Sequence, residues 1–168
     1  MGGKIRGHAI TLGDHINTDV IIPARYCTCF DPEYLGQHCM EDLDSNFFRK
    51  RKPGDLLVAG DNFGCGSSRE SAPLAIKGAG ISCVIAKSFA RIFYRNAINT
   101  GLLIFECEGL AEMTRDGDLL EVDPETGLLS NLKRSKSFAS APFPDLVREI
   151  IALGGMVPFV RRRLGKKR

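Results

Sequence analysis

The chain has 168 residues, 43% of them hydrophobic and 26% charged, which fits one globular domain with its own core or one part of a divided enzyme. No apolar run approaches the roughly 18 residues that a membrane span needs, and residues 1–8 lack the apolar segment of a secretory signal, so we expect a cytoplasmic protein with no membrane partner. The net charge is +3, but residues 161–168 contain six basic side chains, so the rest of the chain carries a net charge of −3.

Strands and helices are predicted to alternate through most of the chain. Strands are predicted over residues 4–12, 56–59, 81–86 and 102–105. Helices are predicted from Asp31 to Leu43, over residues 69–77, and from Ser88 to Gly101. A hairpin over residues 118–122 and 128–132 and a closing helix over residues 144–153 complete the chain. Parallel strands joined by crossover helices, followed by antiparallel strands, predict an α/β fold with a mixed sheet and flanking helices.

The basic run at residues 161–168 has two interpretations. A run of this kind is most often the solvated end that follows a last helix. It would bind nucleic acid if the chain were an RNA-binding regulator, which is the alternative that involves no enzyme activity. No aromatic platform or nucleic-acid motif accompanies the run, so nucleic acid is not the expected partner. We therefore expect residues 1–160 to form one domain and residues 161–168 a basic tail.

The six cysteines do not form a recognisable metal or redox motif. They are Cys27, Cys29, Cys39, Cys65, Cys83 and Cys107. No C-x-x-C pair occurs, which leaves out the usual zinc and redox spacings. Cys27 and Cys29 form a C-x-C pair, but a metal site would need further ligands nearby. No metal site is therefore predicted in this chain.

The segment after the predicted strand 56–59 carries most of the chemical information. Its glycines are Gly60, Gly64 and Gly66. Glycines between a buried strand and a helix start let the backbone approach a ligand and present free N–H groups to it. Ser67, Ser68 and Arg69 follow, where a helix start favours anions and arginine can bind a carboxylate through two hydrogen bonds. The segment predicts a carboxylate or phosphate site, although it matches neither the Walker A nor the dinucleotide pattern.

Ser67 also has a structural interpretation. With Glu70 three residues later it fits a capping box, in which each side chain accepts a hydrogen bond from the backbone N–H of the other residue. A capping hydroxyl would be less available for chemistry. The two interpretations of Ser67 therefore compete.

Three stretches of the chain resemble the swivelling domain of the aconitase-type dehydratases. They are Asn17-Thr18-Asp19 with Ile22-Pro23, Gly64-Cys65-Gly66-Ser67-Ser68-Arg69-Glu70, and Ala86-Lys87-Ser88-Phe89-Ala90-Arg91-Ile92-Phe93 with Arg95-Asn96 and Gly101-Leu102 behind it. They occur in the family's order, and the likeness extends over about residues 4–160. It is closest to the branch that acts on isopropylmalate, in which the swivelling domain is a separate small subunit. The homoaconitase small subunits are near neighbours.

The resemblance implies a swivelling β/β/α domain that closes over a [4Fe–4S] cluster held by a large partner subunit. This chain would then bind no cofactor itself and would be inactive alone. The complex would be a hydro-lyase that interconverts 2- and 3-isopropylmalate, small hydroxy acids, by dehydration and rehydration in leucine biosynthesis. Homoaconitase, or a hydro-lyase for another substituted malate, is the alternative within the enzyme class.

The resemblance also assigns roles to individual residues. The site would contain Ser67 as the general base that removes the carbon-bound proton, Ser68 and Arg69 as ligands of a substrate carboxylate, and Asp19, Gly64 and Gly66 as supporting residues. Some relatives, aconitases among them, have a histidine after the Arg-Glu pair. This chain has Ser71 there, so no role of that histidine is carried over.

The loop after Pro23 is expected to face the variable group of the substrate. We call residues 24–29 the substrate loop, and its candidate contacts are Tyr26, Cys27, Thr28 and Cys29. In homoaconitase-like relatives a Tyr-Leu-Arg-Thr loop supplies an arginine for an extra carboxylate, and Thr28 aligns with that arginine. Small, weakly polar groups suit an isopropyl substituent better, because an unpaired carboxylate would be costly to desolvate there.

Overall fold

A computed structural model describes residues 3–165, which form seven strands and eight helices. The strands are β1 Ile5–Thr11, β2 Leu56–Ala59, β3 Cys83–Ala86, β4 Ile104–Glu106, β5 Leu119–Asp123, β6 Leu128–Asn131 and β7 Lys136–Ala139. The helices are α1 Thr18–Ile21, α2 Pro32–Gln37, α3 Phe47–Lys50, α4 Ser71–Gly78, α5 Arg91–Thr100, α6 Glu108–Met113, α7 Asp145–Ala152 and α8 Met156–Arg163, with a 3₁₀ turn at Ala24–Tyr26. None of these helices combines the length and the apolar character needed to cross a bilayer.

The strands form one mixed sheet in the order β4-β3-β2-β1-β5-β6-β7. Strands β1 to β4 run parallel, and helices α4 and α5 connect β2 to β3 and β3 to β4. Every residue of β2 and β3 is buried, as expected for parallel strands that are covered on both faces. β5, β6 and β7 continue the sheet from β1 as antiparallel strands. The predicted fold class, a mixed α/β sheet with flanking helices, is confirmed.

A close contact between α2 and α4 fixes the two segments that carry the site. A Cβ atom on Gly36 would lie 2.1 Å from the carbonyl carbon of Gly78, so only glycine lets the two helices approach this closely. α2 follows the substrate loop, and α4 follows the glycine-rich segment after β2. Their contact therefore holds the substrate loop next to that segment.

The predicted hairpin is present, and a buried carboxylate holds its two strands together. Asp118 is fully buried and accepts hydrogen bonds from Asn131 Nδ2 (2.9 Å), Arg134 Nε (2.7 Å) and the main-chain N–H of Arg115 (3.1 Å). The hydrogen bonds from Asn131 and Arg134 keep the pKa of Asp118 well below its usual range. All three donors bind Oδ2, and Lys133 Nζ lies 3.5 Å from Oδ1, so hydrogen bonds and positive charge offset the cost of burying this carboxylate.

Three of the predicted helices differ from the observed ones at their ends. α2 ends at Gln37 rather than at Leu43, because Met40 has a positive φ of 58° and the chain turns there. α4 begins at Ser71, two residues later than predicted. α5 begins at Arg91 rather than at Ser88, because the residues before it form a bridge to Phe63. In that bridge Phe63 N donates to Ser88 O and Ala90 N donates to Phe63 O.

Several short elements have no strong sequence signal. β7 has no buried residue, and α6 has only Leu110 fully buried, so neither shows the apolar repeat that predicts an element. α8 includes three residues of the expected basic tail, since Arg161, Arg162 and Arg163 form its last turn. The last three tail residues, 166–168, lie outside the described residues.

Candidate active site

The three resembling stretches meet at the carboxyl ends of the parallel strands. We call residues 60–70, which follow β2, the glycine-rich loop. Two main-chain hydrogen bonds tie it to the segment after β1: Gly64 N donates to Ile16 O (2.7 Å) and Thr18 N donates to Cys65 O (2.8 Å). Loops that follow adjacent parallel strands emerge at the same edge of the sheet, which is where α/β proteins place their ligands.

Glycine is required at two positions of the glycine-rich loop, for different reasons. Gly64 has φ of 78°, and a Cβ atom there would lie 2.1 Å from Cγ of the buried Phe93. Gly66 has φ of 94°, but its nearest neighbour, Thr18 Oγ1, would be 3.4 Å away. Position 64 is therefore restricted by space and by conformation, and position 66 by conformation alone.

The capping box predicted for Ser67 and Glu70 is wrong. α4 begins at Ser71, and its N-cap residue Glu70 has helical dihedral angles and no capping hydrogen bond from its side chain. The hydroxyl of Thr18 instead donates to the main-chain carbonyl of Ser67 (3.1 Å), which keeps Ser67 outside the helix. The side chains of Ser67 and Ser68 are exposed, and within residues 3–165 the Ser67 hydroxyl has no hydrogen-bond partner. This hydroxyl is available for chemistry.

Arg69 is oriented by the segment after β1. Its Nη1 lies 2.6 Å from Asp19 Oδ1 and 3.2 Å from the carbonyl oxygen of Ile22. Asp19 lies in the first turn of α1, where Asn17 caps the helix by accepting from Val20 N (2.8 Å). Both contacts of Arg69 use Nη1, so the guanidinium keeps the donors on Nε and Nη2 for a carboxylate ligand.

The four substrate-loop candidates differ in their surroundings. The hydroxyl of Tyr26 donates to Glu41 Oε1 (2.8 Å), and Cys27 Sγ lies 3.2 Å from Ser71 Oγ. Thr28 is exposed and Cys29 is half-buried. Tyr26 and Cys27 thus contact side chains outside the loop, and Thr28 is the candidate whose side chain is exposed to solvent.

Arg25 supplies no unpaired positive charge to the substrate loop. It forms an ion pair with Asp42 and lies 3.6 Å from Glu41 Oε1. Hydrogen bonding and proximity to Asp42 raise the pKa of Arg25 further above its ordinary value. The positive charge of Arg25 is therefore balanced by the carboxylates of Glu41 and Asp42.

The structure adds two arginines that the sequence analysis did not assign to the site. A recess of about 470 Å³ is lined by Gly64, Gly66, Ala90, Arg91, Ile92 and Arg95. Arg91 and Arg95 are exposed and lie one turn apart on α5, a spacing that places them on one face of the helix. That spacing within the third resembling stretch is the signal that could have identified them. Another recess, of about 420 Å³ between β1 and residues 43–51, contains none of the predicted site residues.

No group of three or more His, Cys, Asp or Glu side chains in residues 3–165 has an arrangement that could hold a metal ion. Cys39 and Cys83 are buried, and burial raises the pKa of both thiols, which keeps them protonated. Cys27, Cys29 and Cys65 are partly exposed but do not gather into such a group. This part of the chain therefore offers no ligand set for an iron–sulfur cluster.

Comparisons with known proteins show which family the chain is similar to. The model of the aconitase C-terminal domain family matches residues 31–109. The chain is 54% identical to the 3-isopropylmalate dehydratase small subunit of Caldanaerobacter subterraneus subsp. tengcongensis, over 95% of this chain and 99% of that protein. It is 56% identical to the protein of the same name from Caldicellulosiruptor saccharolyticus, over 96% and 93% of the two chains.

A solved structure shows the same fold over nearly the whole chain. The crystal structure of 3-isopropylmalate dehydratase from Methanocaldococcus jannaschii superposes with a TM-score of 0.90 and 46% sequence identity, covering 96% of each chain. The sequence identities and the shared fold extend well beyond the three short stretches. The chain belongs to the family of 3-isopropylmalate dehydratase small subunits.

Proposed function

We propose that this chain is the small subunit of a cytoplasmic hydro-lyase that interconverts 2- and 3-isopropylmalate by removing and re-adding water. One observation carries the proposal. An uncommitted serine hydroxyl and an arginine oriented by an aspartate lie at the carboxyl ends of parallel strands, in a chain that matches its relatives over nearly their full length. A base and a carboxylate ligand are the two groups that the dehydration of a hydroxy acid requires from this side of the site.

Ser67 would act as the general base. A serine hydroxyl has a pKa far above 7, so its alkoxide has to be stabilised by positive charge or by hydrogen-bond donors. Arg69 lies two residues further along the chain and would provide such a charge. The hydroxyl of Ser67 is exposed and makes no bond inside the described part of the chain, so a substrate placed above the glycine-rich loop could contact it.

Ser68 and Arg69 would bind a substrate carboxylate. The side chain of Arg69 is only one-fifth exposed, and its Nη1 is held by Asp19 and by the carbonyl of Ile22. Fixing one nitrogen restricts the rotation of the plane that carries the remaining donors. A carboxylate can then accept two hydrogen bonds in a set orientation, which positions the carbon-bound proton for removal.

The iron–sulfur cluster would belong to a large partner subunit. When bound, such a cluster supplies a Lewis acid that withdraws electrons from the substrate hydroxyl as it leaves. Ser67, Ser68 and Asp19 are exposed, so the proposed site is open on one side in this chain. A partner that covers this side would exclude water and complete the site.

Reconstitution of the complex tests the proposal. The chain is purified alone and together with its large subunit under anaerobic conditions, and each sample is assayed with 3-isopropylmalate and with cis-homoaconitate. We expect the chain alone to be colourless and inactive, and the complex to convert 3-isopropylmalate. Stoichiometric iron and sulfide in the isolated chain, or a complex that does not act on isopropylmalate, would contradict the proposal.

A further inference from the structure

Two polar side chains that have no role in the proposed reaction contact the substrate loop. One belongs to the first turn of α4, and the other belongs to the turn that follows α2. Each of them contacts a member of the loop directly. These residues are Ser71 and Glu41.

Ser71 joins the loop to the helix that follows the glycine-rich loop. It is the first residue of α4 and is only 3% exposed. Its Oγ lies 3.2 Å from Cys27 Sγ, and the same sulfur lies 3.7 Å from the carbonyl oxygen of Pro23. Because Ser71 lies only two residues after Arg69, the contact couples the position of the loop to the proposed carboxylate ligand.

Glu41, in the turn that follows α2, holds the loop at a second point. Its Oε1 accepts the hydroxyl hydrogen bond of Tyr26, and its Oε2 lies 2.7 Å from His38 Nδ1. The ring of Tyr26 stacks on His38 with their centroids 3.7 Å apart and their planes 7° apart. The hydrogen bonds from His38 and Tyr26 lower the pKa of Glu41, so the carboxylate is charged at neutral pH.

The end of the loop lacks such contacts. Within residues 3–165, neither Thr28 nor Cys29 makes a side-chain hydrogen bond, and Thr28 is exposed. The loop thus has a fixed part, which contains Tyr26 and Cys27, and an uncommitted end. The fixed part directly precedes this end in the chain.

We propose that Ser71 and Glu41 are positioning residues that set substrate specificity, because they hold Tyr26 and Cys27 so that Thr28 and Cys29 meet the substituent of the substrate at a fixed distance. The proposal rests on the function given above. Neither residue touches the reacting atoms. Their loss should therefore weaken recognition of the substituent and leave proton removal unchanged.

The test compares two substrates that differ only in the size of this substituent. Complexes with Ser71→Ala or Glu41→Gln are assayed with 3-isopropylmalate and with 3-methylmalate, whose methyl group is too short to fill the same pocket. We expect KM for isopropylmalate to rise about tenfold with kcat within about twofold of the original, and kcat/KM for methylmalate to stay the same. Ser130→Ala and Glu149→Gln, which change the same residue types in β6 and α7, should leave both substrates unaffected.

Two further measurements separate positioning from general damage. Hydrogen exchange of residues 24–29 should accelerate in both variants, while the thermal midpoint changes by only a few degrees. The effects of Ser71→Ala and Cys27→Ala should not add, because either change removes the same contact. If Ser71→Ala does not fold, Ser71→Cys and Cys27→Ala test the same contact.

The results that overturn this inference differ from those that overturn the function. A wild-type complex without activity on isopropylmalate contradicts the proposed function. Variants that keep the wild-type preference for isopropylmalate over methylmalate, or that lose kcat equally on both substrates, contradict the positioning role. Unchanged hydrogen exchange in the loop would contradict it as well, whatever the substrate.

Discussion

Asp19 and Arg69 form an ion pair, with 2.6 Å between Oδ1 and Nη1, that joins the segment after β1 to the loop after β2. The Asp19 side chain is 56% exposed, and exposed ion pairs contribute little to stability. The pair therefore matters for the orientation of the guanidinium rather than for the stability of the fold.

Asp19→Asn should weaken substrate binding and leave the fold intact. Loss of the charge frees the Arg69 guanidinium to rotate, so KM should rise about three- to tenfold, while the free energy of unfolding should change by less than about 1 kcal/mol. Steady-state kinetics of the complex and denaturant unfolding of the chain measure the two effects. Asp44→Asn, which removes an ion pair with Lys50 of similar length, is the matched control. An unchanged KM would show that Arg69 needs no help from Asp19.

Ser67→Ala should remove the general base. Removing a positioned acid or base typically costs a factor of about 100 to 10,000 in rate, so we expect kcat to fall by about three orders of magnitude with little change in KM. The thermal midpoint should change little, because the hydroxyl is exposed and makes no hydrogen bond within the described residues. Near-normal turnover by the variant in the folded complex would eliminate Ser67 as the base.

The fold class and the core strands could be predicted from the sequence, but the local geometry around the candidate site could not. The capping pattern of Ser67 and Glu70 failed because the hydroxyl of Thr18, far away in the sequence, holds the carbonyl of Ser67 outside the helix. The predicted start of α5 at Ser88 is wrong because the carbonyl oxygen of Ser88 accepts a hydrogen bond from the main-chain N–H of Phe63 instead. Short-range patterns do not contain such long-range contacts. The same limit applies to the contact between Tyr26 and Glu41, which lie 15 residues apart on either side of α2.

Gly64→Ala should destabilise the chain far more than Gly66→Ala. Both positions have positive φ angles, which disfavour alanine, but only the Cβ atom at position 64 would collide with the buried ring of Phe93. We expect a loss of more than about 3 kcal/mol at position 64 and of about 1 kcal/mol at position 66. Denaturant unfolding of the two variants measures the difference. Equal losses would mean that the Phe93 ring moves aside at little cost.

Asp118 should make the chain more sensitive to acid. Its pKa is lowered in the folded state, so its contribution to stability is fully present above the pKa of an unfolded aspartate and disappears as the pH falls below about 4. Asp118→Asn should therefore lower the thermal midpoint at pH 7, and the difference from the wild type should shrink between about pH 4 and pH 2. Thermal unfolding across this range tests it. A difference that stays constant with pH would show that the charge of Asp118 contributes nothing.

The last prediction concerns the choice of substrate. Thr28 is exposed at the end of the substrate loop, and the neighbouring Arg25 is paired with Asp42. The loop end therefore has no unpaired cation of its own, and an additional substrate carboxylate would lose its water without gaining a partner. We expect the wild-type complex to prefer 3-isopropylmalate to cis-homoaconitate.

Thr28→Arg should move this preference toward cis-homoaconitate, because the new guanidinium can bind the extra carboxylate through two hydrogen bonds. Thr28→Gln, which adds length without charge, separates the effect of charge from that of size. The measured quantity is the ratio of kcat/KM for the two substrates in all three complexes. A wild-type complex with the higher kcat/KM on cis-homoaconitate would reverse the assignment, since recognition of that carboxylate would then not depend on a cation at position 28.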